Sequence, residues 1–292
     1  MTGPMTAPTA MIDTMVSAIN DAGSPACVGI DPVFDKMPAE LRSLREIQAL
    51  ETLCNAIIDA CTGVVGVVKP QSACFERYGS AGYAILERTV ARARDAGLVV
   101  ILDAKRGDIG SSAQHYAAGA ADMGAHFITV SPYMGPSTIE PFLEAGLGVF
   151  ALVRTSNPDS DRLQSAELRD GQTVAEGVGS MIAQIGDSAM GVDGLSALGA
   201  VVGATKASDA LALRERMPNQ MFLVPGVGAQ GGAIEDVRAM VRPGEQSPGS
   251  LGVVVNSSRS VNYAPPKPGQ SWPDAIHEAA IHLADDLRVL CR

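Results

Sequence analysis

Eight short apolar runs, separated by stretches of helical pattern, constrain the fold of this chain more than any other feature. They fall at residues 26–30, 63–68, 98–102, 127–130, 149–153, 200–203, 221–224 and 251–255. Each is nearly continuous in apolar, largely β-branched residues, which marks strands buried on both faces of a parallel sheet. Between them the period becomes helical. Leu44, Ile47, Leu50, Leu53, Ile57 and Ile58 recur at helical spacing, and Gly63 is placed to end that helix. Ser137-Thr138-Ile139-Glu140 reads as a capping box opening a short helix that stops near Gly146. Ile276, Leu283, Leu287 and Leu290 mark a terminal helix. Eight strands alternating with helices predict a single α/β domain over residues 1–292, a (β/α)8 TIM barrel, with residues 1–10 flexible. An open doubly wound sheet is the other fold this alternation allows.

The formal charge of −10 disfavours nucleic acid and anionic membrane surfaces as partners, because the far field repels polyanions. No apolar run approaches the roughly 20 residues needed to span a bilayer. The N-terminus lacks the basic start and apolar block of a signal peptide. Five cysteines without a C-x-x-C pair read as free thiols in a reducing compartment, with Cys54 and Cys61 packing on one helical face. Together these features predict a cytoplasmic protein.

Charge appears where the apolar runs end. Asp31 follows the first, Lys69 the second, and Asp103-Ala104-Lys105-Arg106-Gly107-Asp108 the third. In a barrel, C-terminal strand ends form the catalytic face. Strand alternation points Asp103 and Lys105 the same way. Of five lysines, Lys69, Lys105 and Lys206 lie at or just past strand ends. Lysine, unlike arginine, can release a proton near neutral pH. A rim salt bridge would explain Asp103 and Lys105 taken alone. Adding Asp31 and Lys69 favours a site whose alternating charges keep one another ionised. Lys206 has no such partner in the pattern and reads as a solvated lysine. Two long connections, 32–43 and 157–173, leave strand ends; each suits an active-site loop or a surface insertion equally.

A second constellation follows the last two strands. Residues 225–232 are glycine-rich, and Ser257-Ser258-Arg259-Ser260 follows strand eight. Glycines let backbone N–H groups approach an anion, arginine forks onto phosphate oxygens, and these two loops are the usual phosphate site of a barrel. Tight turns would explain any one of these glycines, but not both loops with their arginine. The residues therefore support a barrel enzyme acting on a phosphorylated small molecule by proton transfer through lysine, without naming the reaction.

At these residues the chain resembles the orotidine 5′-phosphate decarboxylase family. Asp103-Ala104-Lys105-Arg106-Gly107-Asp108 matches its D-x-K-x-x-D signature, and residues 102–112 are similar to the longer bacterial, type 2 branch. The likeness extends to Asp31, Lys69, Arg154-Thr155-Ser156-Asn157-Pro158, the 225–232 loop and Arg259. Sugar-phosphate decarboxylases of the same superfamily share D-x-K-x-x-D, but those magnesium-dependent relatives carry a metal-binding carboxylate where this chain has Lys69. The resemblance implies that Lys105 protonates C6 of the pyrimidine as carbon dioxide leaves. It implies that Asp103 lies near the substrate carboxylate and holds Lys105, and that Lys69 pairs with Asp103 and touches the ribose. Asp31 would bind a ribose hydroxyl. Ser156 and Gln230 would contact the pyrimidine, Gln230 also reaching the phosphate that Arg259 clamps. Asp108 and Ser112 would reach into the site of a neighbouring subunit, making a homodimer. No cofactor and no metal is implied. Two positions depart from the pattern. Ser258 stands where many relatives have glycine, and Ile109-Gly110-Ser111-Ser112 replaces the Ile-Pro-x-Thr of shorter relatives.

Besides another sugar-phosphate decarboxylase on the same barrel, two other readings remain at this level. One is a Schiff-base aldolase using Lys69 or Lys105, although the adjacent Asp103 would tend to raise the pKa of such a lysine. The other is a catalytically silent nucleotide-binding protein.

Overall fold

The computed structural model describes residues 8–227 and 233–292. The chain opens with helix α1 (Pro8–Ala22), followed by β1 (Ala26–Ile30), α2 (Ala39–Arg42) and α3 (Glu46–Cys61). Next come β2 (Val67–Pro70), α4 (Ser72–Glu76), α5 (Gly79–Asp95), β3 (Val99–Arg106) and α6 (Gly110–Met123). β4 (Phe127–Val130), α7 (Glu140–Glu144), β5 (Gly148–Arg154), α8 (Asp161–Gln164) and α9 (Val174–Gly186) continue the alternation. It ends with β6 (Ser196–Val202), α10 (Ala207–Arg216), β7 (Gln220–Pro225), α11 (Ile234–Arg238), β8 (Val253–Ser257), α12 (Arg259–Asn262) and α13 (Trp272–Leu287). The eight strands pair in sequence order, all parallel, and β8 closes on β1. The barrel is formed; the open sheet is not.

The strands have two apolar faces because each is buried twice. Val28, Val68, Val100, Ile128, Phe222 and Val255 pack outward against the helices. Cys27, Val67, Ile101, Phe127, Leu223 and Val254, one position away in each strand, fill the barrel. Gly148 faces this interior because a Cβ there would lie 2.1 Å from the Phe127 ring. Helix α1 plugs the N-terminal end of the barrel with Ile12, Met15, Val16 and Ile19, all buried against the interior cluster. Burying such side chains contributes about 1.5–3 kcal/mol each before conformational entropy is charged against it.

Alternation then dictates what reaches the other end. Continuing the interior-facing parity from Cys27, Val67, Ile101 and Phe127 leads to Asp31, Lys69, Asp103 and Thr129. The polar ends of these strands thus converge over an apolar barrel.

Two sequence expectations are corrected here. Residues 8–10, expected to be flexible, begin α1, while residues 1–7 lie outside the described residues. The capping box at 137–140 does not form: Thr138 closes a 3-10 turn by donating to the Gly135 carbonyl, and α7 starts at Glu140 without a side-chain cap. Pro136 and Pro141 break this stretch into two pieces, which the box pattern ignores. A capping box does open α9, where Thr173 accepts from the Glu176 N–H and Glu176 accepts from the Thr173 N–H. Gly63 and Gly146 follow the ends of α3 and α7 at φ +74° and +82°, as helix-terminating glycines should. The thiols of Cys54 and Cys61 are free and buried on α3.

Candidate active site

A cavity of about 700 Å³ opens at the C-terminal mouth of the barrel. Of the residues singled out from the sequence, Asp31, Lys69, Asp103, Lys105, Ser156, Ser258 and Arg259 line it. Its floor centres on Asp103, which is 5% exposed. The Asp103 Oδ2 accepts from Lys69 Nζ at 2.8 Å and from Gln71 Nε2 at 3.1 Å. Its Oδ1 accepts from Lys105 Nζ at 2.6 Å and from the Thr129 hydroxyl at 2.9 Å. Burial pushes the Asp103 carboxyl up, but the charges and hydrogen bonds of Lys69 and Lys105 overcome it and hold its pKa well below the carboxylate range. Burial likewise pulls the Lys69 ammonium down, and Asp103 and then Asp31 return it above the ordinary lysine value. Lys69 is enclosed, with 5% of its side chain exposed, whereas Lys105 stands in the mouth at 46%.

Asp103 and Lys105 do face one cavity, but not through simple alternation. Leu102 and Arg106 of β3 pair with Ile128 and Val130 of β4, so β3 spends four steps where β4 spends two. Inside this bulge Lys105 has φ +46°, the left-handed region, and it is the one such non-glycine among the described residues.

Asp31 sits at the end of β1, with its carbonyl accepting from the Tyr263 hydroxyl at 2.7 Å. Its Oδ1 is buried without a hydrogen-bond partner. A buried acceptor of this kind is stabilised when a donor reaches it, and a ligand hydroxyl is one such donor.

The connection after β5 is held by Arg154, which is 3% exposed. Its guanidinium donates to Asp161 and Asp209 at 2.6 Å each and to Ser160 and Ser165 at 3.0 Å. Gln164 accepts from the Thr155 N–H at 2.8 Å. The loop so pinned presents Ser156 to the cavity. Lys206 belongs to the same network: its Nζ lies 2.5 Å from Asp161 and its side chain is 12% exposed. This corrects the solvated reading of Lys206. Its partner comes from a different connection, 45 residues earlier, and local pattern does not reveal such a pairing.

On the opposite wall, Arg259 opens α12 and faces the cavity. Ser258 precedes it, and its Oγ occupies the space beside Gly29: a Cβ at position 29 would lie 2.0 Å away. Gly29 therefore makes room for the serine. Gln230 lies outside the described residues, as do 228–232 of the glycine-rich loop. Asp108 and Ser112 do not line their own chain's cavity. Asp108 is half-buried beyond the strand, where its Oδ1 accepts from the Ile109 N–H at 2.9 Å, and Ser112 is exposed in the first turn of α6.

Sequence reading passed over Gln71, Thr129 and Asn256 as site residues, and named Arg154 only as part of the family likeness. For Thr129 and Asn256 a signal existed: each is a polar residue at an interior-facing position that follows apolar residues of its strand. Among the described residues no group of three or more His, Cys, Asp or Glu side chains could hold a metal ion. No described helix is long and apolar enough to cross a membrane.

Fold and site together define a (β/α)8-barrel enzyme whose ionisable groups gather at the C-terminal mouth. The chain belongs to the orotidine 5′-phosphate decarboxylase / HUMPS family, whose model matches residues 25–272. An orotidine 5′-phosphate decarboxylase of Rhodopirellula baltica is 40% identical, covering 93% of this chain and 97% of that protein. One from Roseiflexus castenholzii is 39% identical, covering 91% and 93%. Among solved structures, the OMP decarboxylase of Leishmania donovani superposes with a TM-score of 0.76 at 30% identity, covering 96% of this chain and 98% of that one.

Proposed function

We propose that this protein is a carboxy-lyase that converts orotidine 5′-phosphate to uridine 5′-phosphate in pyrimidine nucleotide biosynthesis, without metal or organic cofactor. The observation that carries this reading is the Lys69–Asp103–Lys105 chain at the barrel mouth, which lines the same cavity of about 700 Å³ as Arg259. Arg259 clamps the phosphate, with Ser258 and Gln230 beside it. Asp31 takes a ribose hydroxyl, a role supported by its buried, unpartnered Oδ1. Ser156 and Gln230 contact the pyrimidine, and Lys69 touches the ribose.

The C6–carboxylate bond breaks, carbon dioxide leaves, and the electron pair remains on C6. The Lys105 ammonium stabilises that developing charge and transfers a proton to C6, and solvent reprotonates the neutral amine. Fixed charges of this kind act without reorganising in the transition state. Asp103 accepts from the Lys105 ammonium at 2.6 Å and aims it. The same pairing disfavours Schiff-base chemistry, which needs a neutral amine.

Asp108 and Ser112 act in the site of a second copy, so the working unit is a homodimer. Ile109, Tyr116, Tyr133 and Met134, all exposed on and beside α6, supply apolar surface for such a contact. Residues 1–292 form one barrel domain that acts in the cytoplasm on a small nucleotide, with neither nucleic acid nor membrane as partner.

The test is release of carbon dioxide from orotidine 5′-phosphate by the purified chain, with Lys105→Ala as control. Release no faster than with that variant would overturn the reading.

A further inference from the structure

The bulge in β3 creates a problem that one side chain on the next strand solves. Between the pairs Leu102–Ile128 and Arg106–Val130, three residues of β3 stand beside one of β4, so the backbone around Lys105 loses its regular ladder partners. The left-handed φ at Lys105 is itself unfavourable for a residue with a Cβ. The Lys105 N–H finds its acceptor in the Thr129 hydroxyl at 2.9 Å. That hydroxyl has one proton, and it goes to Asp103 Oδ1, also at 2.9 Å. Thr129 is 1% exposed and held in β4 between Ile128 and Val130, which pack outward. One buried hydroxyl thus grips the backbone of the exposed lysine and the carboxylate that binds its ammonium.

We infer that Thr129 is a positioning residue for this reaction, fixing the turn that aims Lys105 and the oxygen of Asp103 that holds it. The inference rests on the decarboxylase reading above. Thr129 carries no charge and moves no proton in the reaction; it acts through Lys105 and Asp103. A displacement of about 1 Å in a reacting group costs on the order of 100-fold in rate. Loss of the hydroxyl should therefore lower turnover and leave capture of ribose and phosphate intact, since those contacts come from other strands.

The experiment compares wild type, Thr129→Val, Thr129→Ala and Thr129→Ser for kcat and KM with orotidine 5′-phosphate, and for uridine 5′-phosphate affinity by calorimetry. Valine keeps the β-branched shape suited to a strand and removes the hydroxyl. The expected result is a kcat reduced about 10- to 100-fold in T129V and T129A. KM and product affinity should stay within about threefold, and T129S should recover most of the turnover. Wild-type turnover in T129V overturns the inference. So does a loss in T129V and T129A matched by loss of product affinity or of native fraction, or a T129S no better than T129V. A wild-type chain that releases no carbon dioxide instead overturns the decarboxylase reading itself.

Discussion

Asp103→Asn keeps the shape of the site and removes one negative charge, which isolates what that charge does for folding. The partner left behind is Lys69, an ammonium with 5% of its side chain exposed. Removing one member of a buried ion pair costs about 3–5 kcal/mol. Two features place this case near the low end. Asp31 also pulls the Lys69 pKa upward, and the asparagine oxygen still accepts a hydrogen bond. Lys105 adds little to the sum, because at 46% exposure its charge is screened by water. The expectation is a loss of about 3 kcal/mol at pH 7 and a melting temperature lower by about 6–12 °C.

The pH dependence tests the cause. The folded pKa of Asp103 lies below its unfolded value, so its contribution is present above about pH 4 and lost as pH falls from there. The folded pKa of Lys69 lies above its unfolded value. Its contribution is full below about pH 10 and lost as pH rises through the folded pKa. In Asp103→Asn much of that upward pull is gone and burial lowers the Lys69 pKa, so the variant is relieved by alkali before wild type is harmed. The stability gap between the two proteins should be widest near neutrality and narrow towards both pH 3 and pH 10. Urea denaturation of both proteins across that range measures it. A gap unchanged at pH 3, 7 and 10, or one below about 1 kcal/mol at pH 7, would refute the reasoning.

Three further outcomes are expected. Mixing inactive Lys105→Ala with inactive Asp108→Ala should restore roughly a quarter of wild-type activity, since half the dimers are hybrids with one intact site each; verified hybrids no better than either parent would sink the shared site. Arg259→Ala should lose about 10- to 100-fold in kcat/KM with orotidine 5′-phosphate and much less with orotidine, because a charge-assisted phosphate contact is worth about 1.5–3 kcal/mol; equal losses with both substrates would remove Arg259 as the clamp. Exhaustive chelation should leave activity whole, and a loss restored only by added divalent metal would contradict the cofactor-free reading.

The barrel was legible because double burial leaves a local mark. Each strand shows as an apolar run, and each active-site charge on β1 to β3 interrupts or ends such a run. What stayed hidden depends on contacts distant in sequence. Lys206 meets Asp161 across 45 residues, and Arg154 reaches forward 55 residues to Asp209. The bulge at Lys105 is hidden for another reason: register is a property of two strands, and an apolar pattern in one does not report the count in its neighbour. Alternation put Asp103 and Lys105 on one face, and the structure puts them on one cavity through a different backbone path. Helix α1 went unread although Ile12, Met15, Val16 and Ile19 recur at helical spacing, because it precedes the first strand of the alternating pattern. Its role as a plug follows from the barrel's open end rather than from its own sequence.

The arrangement around Asp103 also accounts for why the site holds two lysines. A carboxylate offers about four acceptor positions. Lys69, Gln71, Lys105 and Thr129 occupy them here. With Lys105 alone as its cation, Asp103 would be left a buried and unneutralised anion at the moment Lys105 gave up its proton, a state costing several kcal/mol. That penalty would fall on the step the site is proposed to accelerate. Lys69, enclosed and held in its charged form, keeps the carboxylate neutralised throughout. In the proposed mechanism the exposed lysine then exchanges protons with C6 and with solvent while the electrostatic frame stays fixed. On this account Lys69→Met should damage turnover more than its distance from the reacting carbon suggests. The loss should appear in kcat, and not in the binding of uridine 5′-phosphate beyond the missing ribose contact. A variant that binds product poorly yet turns over at the wild-type rate would show that Lys69 serves the ribose alone.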